Sequence, residues 1–177
     1  MSMKIRPIQL SEADTLATLG RFTFYEAFWK KNNPDDLEMY LDSAFAKAQL
    51  EKELSNPDCH FFFVTVASQI IGYLKFNTAN AQNELRDEKG IELERIYIIA
   101  PHQGKGLGKQ LLDFAENFAK EKDKEYLWLG VWEHNPDAIR LYEKEGYVTF
   151  DTHIYTIGND PQTDHLMRKN FTDERTD

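Results

Sequence analysis

Residues 96–112, IYIIAPHQGKGLGKQLL, pass from a strand-like run to a helix-like run through three glycines, and no other stretch limits the fold as strongly. A strand feeding directly into a helix requires a sheet with helices layered on it. Gly104, Gly106 and Gly108 let the backbone turn sharply and approach a ligand closely. The helix begins with free N–H groups pointing into the loop, and Lys105 and Lys109 add positive charge with no acid between them. Such a terminus favours an anion, with a pyrophosphate as its natural occupant. A plain tight connection is the alternative. Two familiar phosphate loops do not fit. A Walker A loop needs Ser or Thr after its Gly-Lys, where this chain has Gly106 or Gln110. A dinucleotide fingerprint needs G-x-G-x-x-G, whereas these glycines are spaced G-x-G-x-G.

The flanking patterns extend this unit to a mixed α/β fold. KIRPI alternates like a first strand, and Ser11 with Asp14 is expected to open a helix reaching about residue 29. Further helices are expected over PDDLEMYLDSAF and AKAQLEKELS. HFFFVTV and IIGYLKF read as a hairpin, and IELERIYII as the strand entering the glycine loop. LGKQLLDFAENFAKE carries one apolar stripe, YLWLGVW is a buried strand, PDAIRLYEKEG a short helix, and YVTFDTHIYTI with DHLMRKNF a closing strand pair. The 177 residues are expected to form a single domain, 1–177.

Charge narrows the partners. A net charge of −9, from 30 acidic and 21 basic side chains, disfavours nucleic acid and attracts cations. No run has the length of a membrane span, and the start lacks the apolar core of a signal peptide, so a cytoplasmic location without membrane association is expected. The single cysteine, Cys59, permits no intrachain disulfide and reads as inert. The five histidines lack metal-ligand spacing, so no metal is expected.

Two motifs carry a resemblance. Gln103, Gly106 and Gly108, in the spacing Q-x-x-G-x-G after the strand LERIYI, resemble the acetyl-coenzyme A motif of the GNAT superfamily of N-acetyltransferases. Asn135, Ala138 and Tyr142, spaced N-x-x-A-x-x-x-Y, resemble that superfamily's second cofactor-facing helix. Segments from YLDSAF to QTDHLM look like the PaiA group of bacterial polyamine N-acetyltransferases over nearly the whole chain. The resemblance implies a mostly antiparallel twisted sheet, splayed at its middle strands and carrying helices on both faces, with coenzyme A pantetheine in the splay. It implies backbone pairing of the pantetheine with Ile96, Tyr97 and Ile98, as a ligand acting like an added strand. It places the diphosphate on Gly104, Lys105, Gly106, Leu107, Gly108 and Lys109, with Gln103, Asn135 and Lys144 as further cofactor contacts. Asn135 before Pro136 also suits a helix N-cap.

Acetyl transfer to an amine needs a proton acceptor, because an alkylamine near pKa 10.4 is protonated at neutral pH. Glu94, nine residues before Gln103, is the carried-over catalytic carboxylate, and strand periodicity puts Glu92 on the same face as a substrate contact. For Glu94 to act as a base, burial or the paired charge must raise its pKa. Tyr142 is expected to face the coenzyme sulfur and stabilise the leaving thiolate. Trp29, Trp132 and Glu133 are candidates for holding a cationic acceptor. The expected acceptor is a small cationic amine, with spermidine or spermine favoured by PaiA similarity. Acetylation of a protein N-terminus or lysine, and a regulatory acetyl-coenzyme A-binding module, remain open, as does a homodimer.

Overall fold

The β-branched and aromatic runs pair into one seven-stranded sheet in the computed structural model, which describes residues 2–171. The strands are β1 Met3–Pro7, β2 Cys59–Val66, β3 Gln69–Asn77, β4 Gly90–Ile98, β5 Tyr126–Trp132, β6 Val148–Ile157 and β7 Asp160–Asn170, in the order β1-β2-β3-β4-β5-β7-β6. Every neighbouring pair is antiparallel except β4 with β5. The expected fold class is therefore the observed one. Helices α1 Ala13–Phe28, α2 Pro34–Ala44 and α3 Lys47–Leu54 precede the hairpin, α4 Leu107–Glu121 joins β4 to β5, and α5 Pro136–Lys144 follows β5.

Two large cores form because both faces of the sheet are apolar, and Tyr126, Trp128 and Leu166 make a smaller third cluster. Leu111, Leu112, Ala115 and Ala119 of α4 and Tyr142 of α5 pack with Val64, Leu74, Ile91 and Leu127 on one face. Leu16 and Phe24 of α1, Leu37 and Leu41 of α2, and Leu50 of α3 pack with Phe61, Phe63 and Tyr73 on the other. The single apolar stripe expected along α4 is the one that it buries.

Two irregularities in the middle strands position the site. First, β4 and β5 pair only from Gly90 to Glu92 and from Tyr126 to Trp128. Beyond that point β4 keeps β3 and β5 keeps β7, so the facing edges of Leu93–Ile98 and Leu129–Trp132 part. Second, the β3–β4 register jumps from Lys75 opposite Arg95 to Phe76 opposite Leu93, leaving Glu94 as the extra residue of a β-bulge. The bulge turns Glu94 and Arg95 into the same cavity wall, against the alternation of a regular strand.

One local expectation is corrected. The first helical segment is entered through a 3₁₀ turn, Leu10–Glu12, and the reciprocal cap is Gln9 with Glu12 rather than Ser11 with Asp14. Glu12 accepts the Gln9 N–H at 2.9 Å and is also clamped by Arg6 at 2.8 Å, a bond that Asp14 is placed too late in the chain to make. The expected hairpin is present as β2 and β3, and its turn is Ala67-Ser68, both at positive φ (49° and 66°), where glycine or asparagine is more usual.

Candidate active site

The opening between β4 and β5 leads into a cavity of about 980 Å³ whose wall includes Ile96, Tyr97 and Ile98 of β4, the glycine loop, and Asn135, Ala138 and Tyr142 at α5. Gly104 and Gly106 adopt φ of +72° and +74°, and a Cβ at either would meet nothing within 4 Å. They are required for backbone conformation and leave the loop open to a ligand. Gly108 has a different reason to be glycine: a Cβ there would come within 3.0 Å of Leu141, so it sets the spacing of α4 against α5. The N-terminus of α4 has no side-chain cap, and Gly106, Leu107, Gly108 and Lys109 all border the cavity. Free N–H groups at an open, glycine-lined helix start suit a diphosphate.

The cations differ from expectation. Lys109 is neutralised by Asp113 at 2.8 Å and Glu145 at 3.3 Å. Lys105 is exposed and stands outside the cavity wall, while Lys144 is on it. Lys30 and Lys31, which the sequence did not single out, border the same cavity from the turn after α1. Gln103 donates from Nε2 to the Ile98 carbonyl at 2.7 Å, so it fastens the loop to β4 and occupies one acceptor of the strand edge. Asn135 caps α5, its Oδ1 accepting from Ala138 N–H at 3.2 Å. Tyr142 is 7% exposed on the cavity wall, and burial raises its phenol to about 12.

A smaller cavity of about 320 Å³ lies on the α1 and α2 face of the sheet. Phe28, Tyr97 and Trp132 border both cavities and form the junction between them. Glu84, Glu92, Glu94 and Asp164 bring carboxylates to the smaller one, against Arg95 and His153. Glu92 and Glu94 share a face as expected, and Asn77 Nδ2 donates to both, at 2.9 and 2.6 Å. Glu92 also accepts from Asn83 N–H and Nδ2, each at 2.9 Å, which pins the β3–β4 connection over the cavity. Burial and the neighbouring Glu94 charge raise the Glu92 carboxyl, and bonds from Asn77 and Asn83 oppose them.

Glu94 shifts in the direction opposite to that expected of a base. Burial alone would raise its pKa, but the charges of Arg95 and Lys75 and the bonds from Lys75 and Asn77 outweigh it and hold the carboxyl at about 2. Lys75 Nζ lies 2.5 Å from Glu94 and 3.0 Å from Glu53. Arg95 is 7% exposed and stacks its guanidinium 4.6 Å over Phe45. Trp29 borders the larger cavity, not the smaller one, and is 47% exposed. Trp132 lies at the junction, and Glu133 borders neither cavity, pairing instead with His134 at 3.6 Å. Asp164 was missed, because β7, DPQTDHLMRKN, is polar along most of its length and nothing in its sequence sets this acid apart. Cys59 is half-buried and raised to about 11 by burial, which leaves no reactive thiolate.

The acetyltransferase (GNAT) family model matches residues 22–147, which span the bulged β4, the glycine loop and α5. The chain belongs to that family. This N-acetyltransferase takes its acyl group from acetyl-coenzyme A, whose thioester supplies an activated acetyl carbon. It is similar to an uncharacterized N-acetyltransferase in the pepI 3′ region of Lactobacillus delbrueckii subsp. lactis, 40% identical over 93% of this chain and 96% of the relative. A probable spermine N(1)-acetyltransferase of Bacillus subtilis subsp. natto is 27% identical over 51% of this chain and 62% of its own length. The crystal structure of a PaiA N-acetyltransferase from Thermoplasma acidophilum in complex with coenzyme A shares the fold, with a TM-score of 0.78 at 23% identity, covering 97% of this chain and all of that one. Among the described residues no helix is long and apolar enough to cross a membrane.

Proposed function

We propose that this N-acetyltransferase acts on a primary amine of a small cationic acceptor, a polyamine of the spermidine or spermine type, by direct attack and without an acyl-enzyme. The observation that carries the reading is the smaller cavity, where four carboxylates meet one guanidinium and one imidazole and which joins the coenzyme-side cavity through Phe28, Tyr97 and Trp132. An extended polycation fits a narrow acidic cavity better than a neutral acceptor does. The spermine-named relative supports the same substrate class.

In this reading the glycine loop from Gly104 to Lys109 takes the diphosphate, the open edge of Ile96 and Tyr97 takes the pantetheine amides, and Lys144 faces the same cleft. Glu92 and Glu94 supply negative potential to the acceptor. Tyr142 donates a hydrogen bond to the sulfur as charge develops there. With its phenol near 12 and a thiol near 8.5, complete proton transfer from Tyr142 is uphill by roughly 5 kcal/mol, so the hydrogen bond is the working interaction.

The test is thiol release from acetyl-coenzyme A across spermidine, spermine, matched monoamines, aminoglycosides and peptides, at two ionic strengths. The expected outcome is a higher kcat/KM for spermidine than for a monoamine, falling as salt rises. Efficient acetylation of peptides with none of spermidine would overturn the polyamine assignment and leave acetyl transfer standing.

A further inference from the structure

We infer that Asp164 is the group that receives the acceptor's ammonium and takes its proton, in place of the β4 glutamates. This rests on the reading that the acceptor is an amine, though not on that amine being a polyamine.

The geometry begins with the sheet. Asp164 on β7 stands directly opposite Trp132 on β5 and His153 on β6, so the three side chains share the face that floors the smaller cavity. Directly opposed residues of this kind bring their Cβ atoms to about 5 Å. Since Trp132 is also part of the junction, Asp164 sits at the end of the acceptor cavity nearest the coenzyme side. Gly130, two residues before Trp132, has no side chain on that face, and a Cβ there would lie 3.0 Å from Asp164 Oδ2. The glycine leaves the carboxylate room.

The carboxylates on the cavity wall differ in what already holds them. Glu94 is bound by Lys75 and Asn77, Glu92 by Asn77 and Asn83, and Glu84 by His153 at 3.1 Å. Asp164 Oδ1 is buried and has no hydrogen-bond partner among the described residues. Trp132 Nε1, on a ring only 7% exposed, is in the same condition. A buried acceptor atom left without a donor is costly unless a ligand or water supplies one. An ammonium is a donor of that kind, and the indole N–H, itself a donor, cannot compete for it.

The chemistry agrees. Burial first, and then the charge of Glu133, raises the Asp164 carboxyl to about 7. The ionisable groups that line the cavity with it are His153 and Tyr155 from β6, Glu92, Glu94, Arg95 and Tyr97 from β4, Tyr40 from α2 and Glu84 from the β3–β4 connection, and Glu133, just after β5, acts on it from outside the cavity wall. A base poised near neutral pH is best matched to the task, and Glu94 at about 2 is not. The proton balance is complete: R–NH₃⁺ gives one proton to Asp164 and attacks through the freed lone pair. The nitrogen's second proton is lost as the C–N bond forms and the C–S bond breaks, ending on the thiol. Asp164 then releases its proton to solvent.

The test compares wild type, Asp164→Asn and Asp164→Glu, with kcat and KM measured against pH using the best amine of the panel and coenzyme A affinity measured by calorimetry. Asp164→Asn should keep its coenzyme affinity, lose about 100-fold or more in kcat, and lose the acid limb near pH 7. Asp164→Glu should restore part of the rate with the limb displaced. Wild-type kcat and limb in Asp164→Asn, or a rise in KM alone, overturns the assignment. If Asp164→Asn does not fold, the glutamate variant decides: a displaced limb supports the role and an unmoved one overturns it. Wild-type protein that acetylates no amine overturns the amine reading and this assignment together, whereas active wild type beside an equally active Asp164→Asn overturns this assignment alone.

Discussion

Replacing Glu94 with Gln should weaken the fold before it says anything about chemistry. The Glu94 side chain is 22% exposed, and its partners Lys75 and Arg95 are 5% and 7% exposed, so solvent screens this cluster little. The folded-state carboxyl at about 2 lies below the ordinary value of 4.5. A depressed carboxyl stabilises the native state above its unfolded pKa, and the contribution is lost as pH falls through the folded value. At about 1.4 kcal/mol per unit, the gap amounts to about 3 kcal/mol at pH 7 and falls to roughly 1 kcal/mol at pH 3. Gln keeps the shape and an acceptor oxygen but leaves Arg95 without its adjacent charge and Lys75 with Glu53 alone. Urea unfolding of wild type and Glu94→Gln at both pH values measures the two differences, and a domain this size should lose about 6–12 °C in Tm at pH 7. An unchanged midpoint at pH 7, or a deficit equally large at pH 3, refutes the reasoning. Any loss of turnover in this variant has meaning only below its own transition.

Gly106→Val places a β-branched residue at φ +74°, and should raise the coenzyme dissociation constant at least tenfold, about 1.4 kcal/mol, in calorimetry. The strain at this positive φ falls on an exposed loop where a Cβ meets no neighbour, so the fold outside the loop should persist, and unchanged affinity in a folded protein would remove the loop from the cofactor site. Tyr142→Phe should lower kcat with little change in KM, since in the proposed role its hydroxyl acts only when charge develops on sulfur; wild-type turnover would leave Tyr142 as a packing residue.

The order of strands and helices was legible because periodicity and breakers are local properties. The helix from Leu107 and the strand from Tyr126 to Trp132 start and stop where the apolar pattern does. The glycine loop was legible for the same reason, as was the cap at Asn135. What stayed hidden depends on partners distant in sequence. Nothing near Glu94 announces Lys75, which arrives across the sheet and turns a candidate base into a fixed anion. Register hid Asp164, because only the β5–β7 pairing sets it beside Trp132 and Gly130. Lys109 looked free until α5 brought Glu145 against it. The bulge at Glu94, a single extra residue, has no local signature in LERIYI.

The parting of β4 from β5 also bears on the life of the protein before it meets a ligand. An unpaired strand edge is an adhesive surface, and here one opens in the interior of the sheet rather than at its rim. A ligand that fills this gap at 100 times its dissociation constant adds about 2.7 kcal/mol to the folded state. Coenzyme that occupies the gap would therefore protect the chain from aggregation and proteolysis, and free coenzyme A, which carries the same pantetheine and diphosphate as its acetyl ester, would protect it too.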